Sequence, residues 1–173
     1  AMALAVLVNL TAFPLSQGLL PYVAREIYRI DQQGLGFLVA SFACGSLAGS
    51  LALSFGGRSL AMARLMIASM LGWYALLAVF PLLPSPKAGM VVLMIAGFAQ
   101  SLAMVPMSVI LLRTAEDRLR GRVMGVRMLA VYSLPIGLLG AGVLIQHVGY
   151  GTTVALYCAI GIGSALLIAL RWR

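Results

Sequence analysis

Apolar residues in this chain come in long unbroken runs, with none of the one-sided patterning of soluble helices or the alternation of half-buried strands. Cutting the sequence at its charges and its Pro/Gly clusters leaves six runs, at about 1–24, 34–56, 65–83, 90–112, 124–146 and 152–170. Each is close to the roughly 20 residues that a helix needs to cross a bilayer. In hydrocarbon every backbone N–H and C=O must be paired within the protein, and helices do this within a single segment. A transmembrane barrel would need short strands of alternating character, which this pattern does not offer. The runs therefore predict an all-α polytopic membrane protein, with residues 1–173 forming a single domain of six transmembrane helices in the lipid bilayer.

Composition narrows the alternatives. The chain is 62% hydrophobic and 9% charged, with a mean hydropathy of +1.06. Six buried helices in a soluble protein would leave almost no surface for water. The net charge of +8 would suit a nucleic-acid partner only on a wetted polar face, which so few polar residues cannot build. The positive charge is expected to lie along a membrane surface.

The links between the runs set the orientation. Arg25 and Arg29, offset by Glu26 and Asp31, lie between runs one and two, Lys87 lies between three and four, and "HVGYG" carries no lysine or arginine. The alternate links and the tail hold Arg58, Arg64, the five arginines of "RTAEDRLRGRVMGVR" (113–127), Arg171 and Arg173. Nine basic residues thus face three across the membrane, and the richer side is expected to be cytoplasmic, with both ends of the segment inside a plasma or inner membrane. In the charged link, Thr114 and Asp117 have the spacing of a capping box, and Glu116 precedes Arg120 by four, the favourable order for a helical ion pair. Arg118, Arg122 and Arg127 are left to meet lipid phosphates, helix C-termini or carboxylates on neighbouring loops. The opening "AMALAVLVNL" has no positive leader and reads as a span, not a secretory signal. Because it starts on an alanine inside an apolar run, the chain is expected to be a fragment or one half of a longer protein.

Cys44 and Cys158 sit inside runs, far from any metal-ligand spacing, and with one histidine in the chain they imply packing and no metal or cofactor. "CGSLAGSLA" sets Gly45 and Gly49 four apart beside Ser46 and Ser50, and "PIGLLGAGV" places Gly137, Gly140, Ala141 and Gly142 likewise. Both stretches predict close helix packing within the bundle. "GLG" at 34–36 lacks the strand and helix that a dinucleotide loop needs. There is no nucleophile elbow, paired intramembrane carboxylate, HExxH or phosphate loop, so no enzyme is expected.

Taken together, "EDRLRGRVMGVR" followed by "YSLPIGLLGAGVLIQHVGYGT" resembles the loop before the penultimate helix, and that helix, in the C-terminal half of major facilitator superfamily transporters. "GLGFLVASFACGSLAGSLALSFGGR" is similar to their eighth helix and the loop after it. The resemblance covers the whole chain, matches helices seven to twelve of a twelve-helix bundle, and lies closest to bacterial exporters of drugs, macrolides and siderophores. It implies a secondary transporter that exports small, largely hydrophobic molecules by alternating access, with a second half, the N-terminal six helices or another copy, as partner. The acidic residue expected before the glycine–arginine pair of "GGRSLAMAR" is absent. The resemblance also implies a gating role for the cytoplasmic loop residues Arg58, Glu116, Asp117, Arg120, Gly121 and Arg122. All four acids lie in links, so a proton antiporter of this kind would carry its titrating carboxylate in the other half. A non-transporting scaffold or a passive channel is the alternative, although no filter-like segment or ring of charge is visible.

The helices that border the cavity in that superfamily carry mild polarity here: Asn9, Thr11, Gln17, Gln100, Ser101, Tyr132 and Ser133. These are the candidate substrate contacts. The competing role for each is an interhelical hydrogen bond, worth about 1 kcal/mol or less. Gln17 and Gln100 stand out, because an amide in lipid needs a partner or a wet cavity. Ten methionines suit a greasy pocket as well as a core. Pro14, Pro21, Pro106 and Pro135 each remove a backbone donor and are candidate helix kinks, either static or moving.

Overall fold

The computed structural model describes residues 2–55, 62–114, 121, 125, 128 and 131–171, and among these every regular element is helical. The first rod starts as α1 (Met2–Phe13) and continues through a π-helical turn (Pro14–Gly18), a single α-turn (Leu20–Tyr22) and a second π-helical turn (Val23–Ile27). It is followed by α2 (Gln32–Phe55), α3 (Met62–Val79), α4 (Pro86–Thr114), α5 (Leu134–Val148) and α6 (Tyr150–Arg171). The first rod and α2, α3, α4 and α6 are long and apolar enough to cross a membrane. At 15 residues α5 is shorter, about 22 Å at 1.5 Å per residue. The fifth run was expected to be helical from 124. Gly125, Met128 and Val131 are helical, but Tyr132 and Ser133 form a turn and α5 starts afresh at Leu134. Pro135 consequently stands in the first turn of α5, where a missing N–H leaves no bond unmade, and not at a kink within a helix.

The other three prolines shape their helices differently. Pro14 opens the first π-helical turn, in which Leu19 N–H donates to the Pro14 carbonyl at 2.8 Å across five residues. Pro14 has no N–H to offer the Leu10 carbonyl, and Pro21 has none for Gln17, so the rod widens where its α-helical bonding is interrupted. Pro106 lies within α4.

Two close approaches build the bundle. A Cβ placed on Gly45 would fall on the Met94 carbonyl oxygen, one on Gly97 would fall on that of Phe42, and one on Gly49 would lie 2.7 Å from that of Phe98. The backbones of α2 and α4 thus touch along the stripe that the glycine spacing predicted. Gly137 likewise sits against the Leu10 carbonyl, the one Pro14 leaves without its usual donor, and Ala141 is fully buried one turn on. Cys158 is buried, as expected of a packing residue, whereas Cys44 is exposed. Cys44 is one position, about 100° of helix, away from the contact glycine Gly45.

α3 supplies the largest core residues, Met66, Met70, Trp73, Tyr74 and Leu77, at helical spacing and at most 2% exposed. Trp73 meets Phe13 of α1 edge to face, with ring centroids 5.5 Å apart. The Thr11 hydroxyl donates to the Leu7 carbonyl at 2.7 Å, and Tyr74 Oη therefore donates to Thr11 Oγ1 at 2.6 Å. α6 packs on α1 and α3, and Tyr157 Oη donates to the Gly137 carbonyl at 2.7 Å. Outside this core the helices present Phe37, Leu47, Phe55, Ile136, Leu139 and Leu167 outward, an apolar shell suited to hydrocarbon and far too extensive for a monomer in water.

Aromatic contacts gather three links at one end. Tyr22 packs against Tyr150 at 5.8 Å, and Tyr28 packs against Phe80 at 6.2 Å. Burial raises the Tyr28 phenol above its ordinary pKa. Arg25, Glu26, Asp31 and Lys87 belong to this end, and Arg25 and Glu26 form an exposed pair at 3.5 Å. α5 and α6 are joined by Gly149 alone, at φ 82° and ψ 165°. Its carbonyl accepts from the Thr153 amide and hydroxyl at 3.2 and 2.8 Å.

These contacts give two predictions for thermal unfolding in detergent. Gly45→Ala forces α2 off α4 and lowers stability by about 1–3 kcal/mol, the usual cost of overpacking. Gly163→Ala, which adds a methyl where nothing lies within 4 Å, leaves stability unchanged or raises it. Ser16 Oγ and Trp73 Nε1 are buried without a hydrogen-bond partner. Ser16→Ala therefore holds or raises the melting temperature, whereas Tyr74→Phe, which breaks the bond to Thr11, lowers stability by about 0.5–1.5 kcal/mol.

Candidate polar groove

The strongest helix contacts run from α2 to α4, to α3, to α6, to α1 and on to α5. Between the first rod and the α2–α4 pair the packing stays open, and two adjoining cavities of about 580 and 340 Å³ fill the gap. The larger is walled by Leu20 of the first rod and by Val39, Phe42, Ala43 and Ser46 of α2. The smaller runs along Ala5, Asn9 and Phe13 to Met104 and Met107 of α4 and reaches Val131 and Leu134. Gln17 and Gln100 line both. The two form one trough with these carboxamides at its middle.

Their depth follows from their helices. Gln17 is near the centre of the span Ala5–Ile27, and Gln100 is near the centre of Pro86–Leu112. Gln17 occupies the first π-helical turn and is exposed. Gln100 is half-buried, and its Oε1 accepts from Ser46 Oγ at 3.0 Å, while the same hydroxyl lies 3.2 Å from the Gly97 carbonyl. Ser46 thus ties Gln100 to the glycine contact between α2 and α4. Asn9 Nδ2 donates to the Ala5 carbonyl at 2.8 Å, which leaves its Oδ1 as the acceptor on this wall.

The candidate residues therefore separate into groups. Asn9, Gln17 and Gln100 share the trough. Thr11 is 5% exposed and committed to Leu7 and Tyr74. Ser101 donates to the Ser46 carbonyl at 2.6 Å, an interhelical bond across the same α2–α4 contact. Tyr132, 74% exposed, and Ser133, the residue capping α5, stand beside Val131 and Leu134 but do not line the trough. Ser46 was read from sequence as a packing residue, and it also walls the trough and orients Gln100. Arg58, Glu116, Asp117, Arg120 and Arg122 lie outside the described residues, and Gly121 is helical and exposed.

The lining is chemically uniform. Besides three carboxamides and the Ser46 hydroxyl, the described lining residues are alkyl, thioether and phenyl groups, so the trough can hold an apolar body and hydrogen-bond it at a few fixed points. No family model, curated protein or solved structure matches the chain.

Proposed function

We propose that this chain is one six-helix half of a secondary transporter of the major facilitator type, with the trough as its wall of the substrate path. The observation that carries this reading is the convergence of Gln17 and Gln100, mid-span carboxamides from different helices, on one open-sided groove. Amides at such depth are costly in lipid unless they are paired or wetted. A groove closed by a second half and opened to each side in turn supplies that wetting. Substrate sites at the midplane between two rocking halves have this form. The companion half is the N-terminal six helices or a second copy; in a proton antiporter it is the N-terminal half, which carries the titrating carboxylate that the six apolar runs here lack. Export of small, largely hydrophobic molecules fits the Phe, Leu and Met lining. The basic links lie in the cytoplasm, and the tyrosine-rich end faces out.

Efflux tests the role. Cells or vesicles holding the full protein lose the neutral dye Nile red faster under an imposed proton gradient, and Gln17→Leu cuts the initial rate about tenfold at equal membrane abundance. Identical dye retention with and without the protein overturns transport of such molecules, and loss unaffected by the gradient identifies a passive path. Orientation has its own test. Lys87, the one lysine in the sequence, is exposed at the tyrosine end. A membrane-impermeant amine reagent labels it in right-side-out vesicles, and Lys87→Arg removes that label. Labelling of Lys87 only after permeabilisation reverses the assigned topology.

A further inference from the structure

We infer that the trough selects uncharged ligands, namely lipophilic molecules bearing carbonyl or hydroxyl groups, and rejects permanent cations of the same size. This inference rests on the reading of the trough as a binding wall.

The argument starts from what the trough offers a ligand. Asn9, Gln17 and Gln100 can each donate and accept, and none carries charge. Among the described residues that line it there is no Asp, Glu, His, Lys or Arg. Of the described acids, Glu26 lies in the last π-helical turn of the first rod, beside Arg25, and Asp31 lies in the link to α2. An ammonium or phosphonium ion entering at mid-span would shed hydration against amides and alkyl groups, with no counter-charge among the described residues of this wall, and that desolvation outweighs what dipoles return. A carbonyl or hydroxyl gives up much less hydration and regains it in hydrogen bonds.

The polar groups are also held in place. Asn9 Nδ2 is engaged by the Ala5 carbonyl at 2.8 Å, so Oδ1 is the atom left to accept from a ligand. Gln100 is fixed by Ser46 at 3.0 Å, and Ser46 by the α2–α4 contact. Gln17 is exposed on the π-helical turn between them. Two anchored amides and one adaptable amide favour hydrogen-bonding groups spaced along an apolar scaffold.

The test is saturable binding to the full-length protein in lipid nanodiscs, with empty nanodiscs as the partition background. The probes are tritiated progesterone, a neutral diketone, and tritiated tetraphenylphosphonium, a permanent cation of comparable bulk. Progesterone is expected to bind saturably and tetraphenylphosphonium at least tenfold more weakly. Gln17→Leu weakens progesterone about tenfold, and Gln17→Glu reverses the preference by supplying the missing charge. Both variants leave the packing intact, because Gln17 is exposed. Tetraphenylphosphonium binding as tightly as progesterone overturns the neutral-ligand inference while leaving the trough a binding site. Saturable binding of neither probe overturns the inference and the binding reading together.

Discussion

The contact of α2 with α4, backbone against backbone, is the constraint on which the rest of the bundle depends. Without a hydrophobic drive between helices in lipid, association relies on close van der Waals packing and interhelical hydrogen bonds. Gly45, Gly49 and Gly97 remove the side chains that would hold the two helices apart. Ser46 and Ser101 then bond across the seam, Ser46 to Gly97 and Gln100, and Ser101 back to the Ser46 carbonyl. The same seam fixes the rotation of α4, and with it the direction in which Gln100 faces. Packing and site geometry are one arrangement here.

The first rod meets a different requirement. Prolines 14 and 21 interrupt its α-helical bonding, and the chain answers with π-helical turns that keep most donors engaged. Widening the helix at Pro14–Gly18 places Gln17 on the trough while Ser16, its neighbour, is fully buried without a partner. Gly137 lets α5 settle against the carbonyl beneath Pro14. The interruption in one helix becomes the docking point of another.

Much of this was legible in the sequence. Six apolar runs gave helices close to where they occur, and the small-residue spacings Gly45/Gly49 and Gly137/Ala141 marked contact faces, because small residues four apart share a face whatever surrounds them. The two glutamines stood out because amides in apolar runs need a reason. What stayed hidden was phase. In a helix that is apolar all round, no polar face tells which side turns inward, so Thr11 and Asn9 looked alike although one bonds Tyr74 and the other lines the trough. Ser101 and Gln100, adjacent in sequence, parted for the same reason. The fresh start of α5 was also invisible, since Pro135 fits a first turn as readily as a bend.

Gly149 joins α5 to α6 through a single residue whose φ and ψ only glycine adopts with ease. Both helices start or end at this joint, Thr153 braces it from one side, and Tyr157 ties α6 to Gly137 at the far side of α5. The pair is held at two points along its length, the Gly149 joint and the Tyr157–Gly137 bond, which oppose sliding and splaying. It is a two-pronged fork, with one prong beside Leu134 at the trough's rim and the other resting on α1 and α3. The trough's rim and the packed core on α1 and α3 are thereby joined through one short, glycine-hinged pair of helices, so the placement of α5 and that of α6 are set together.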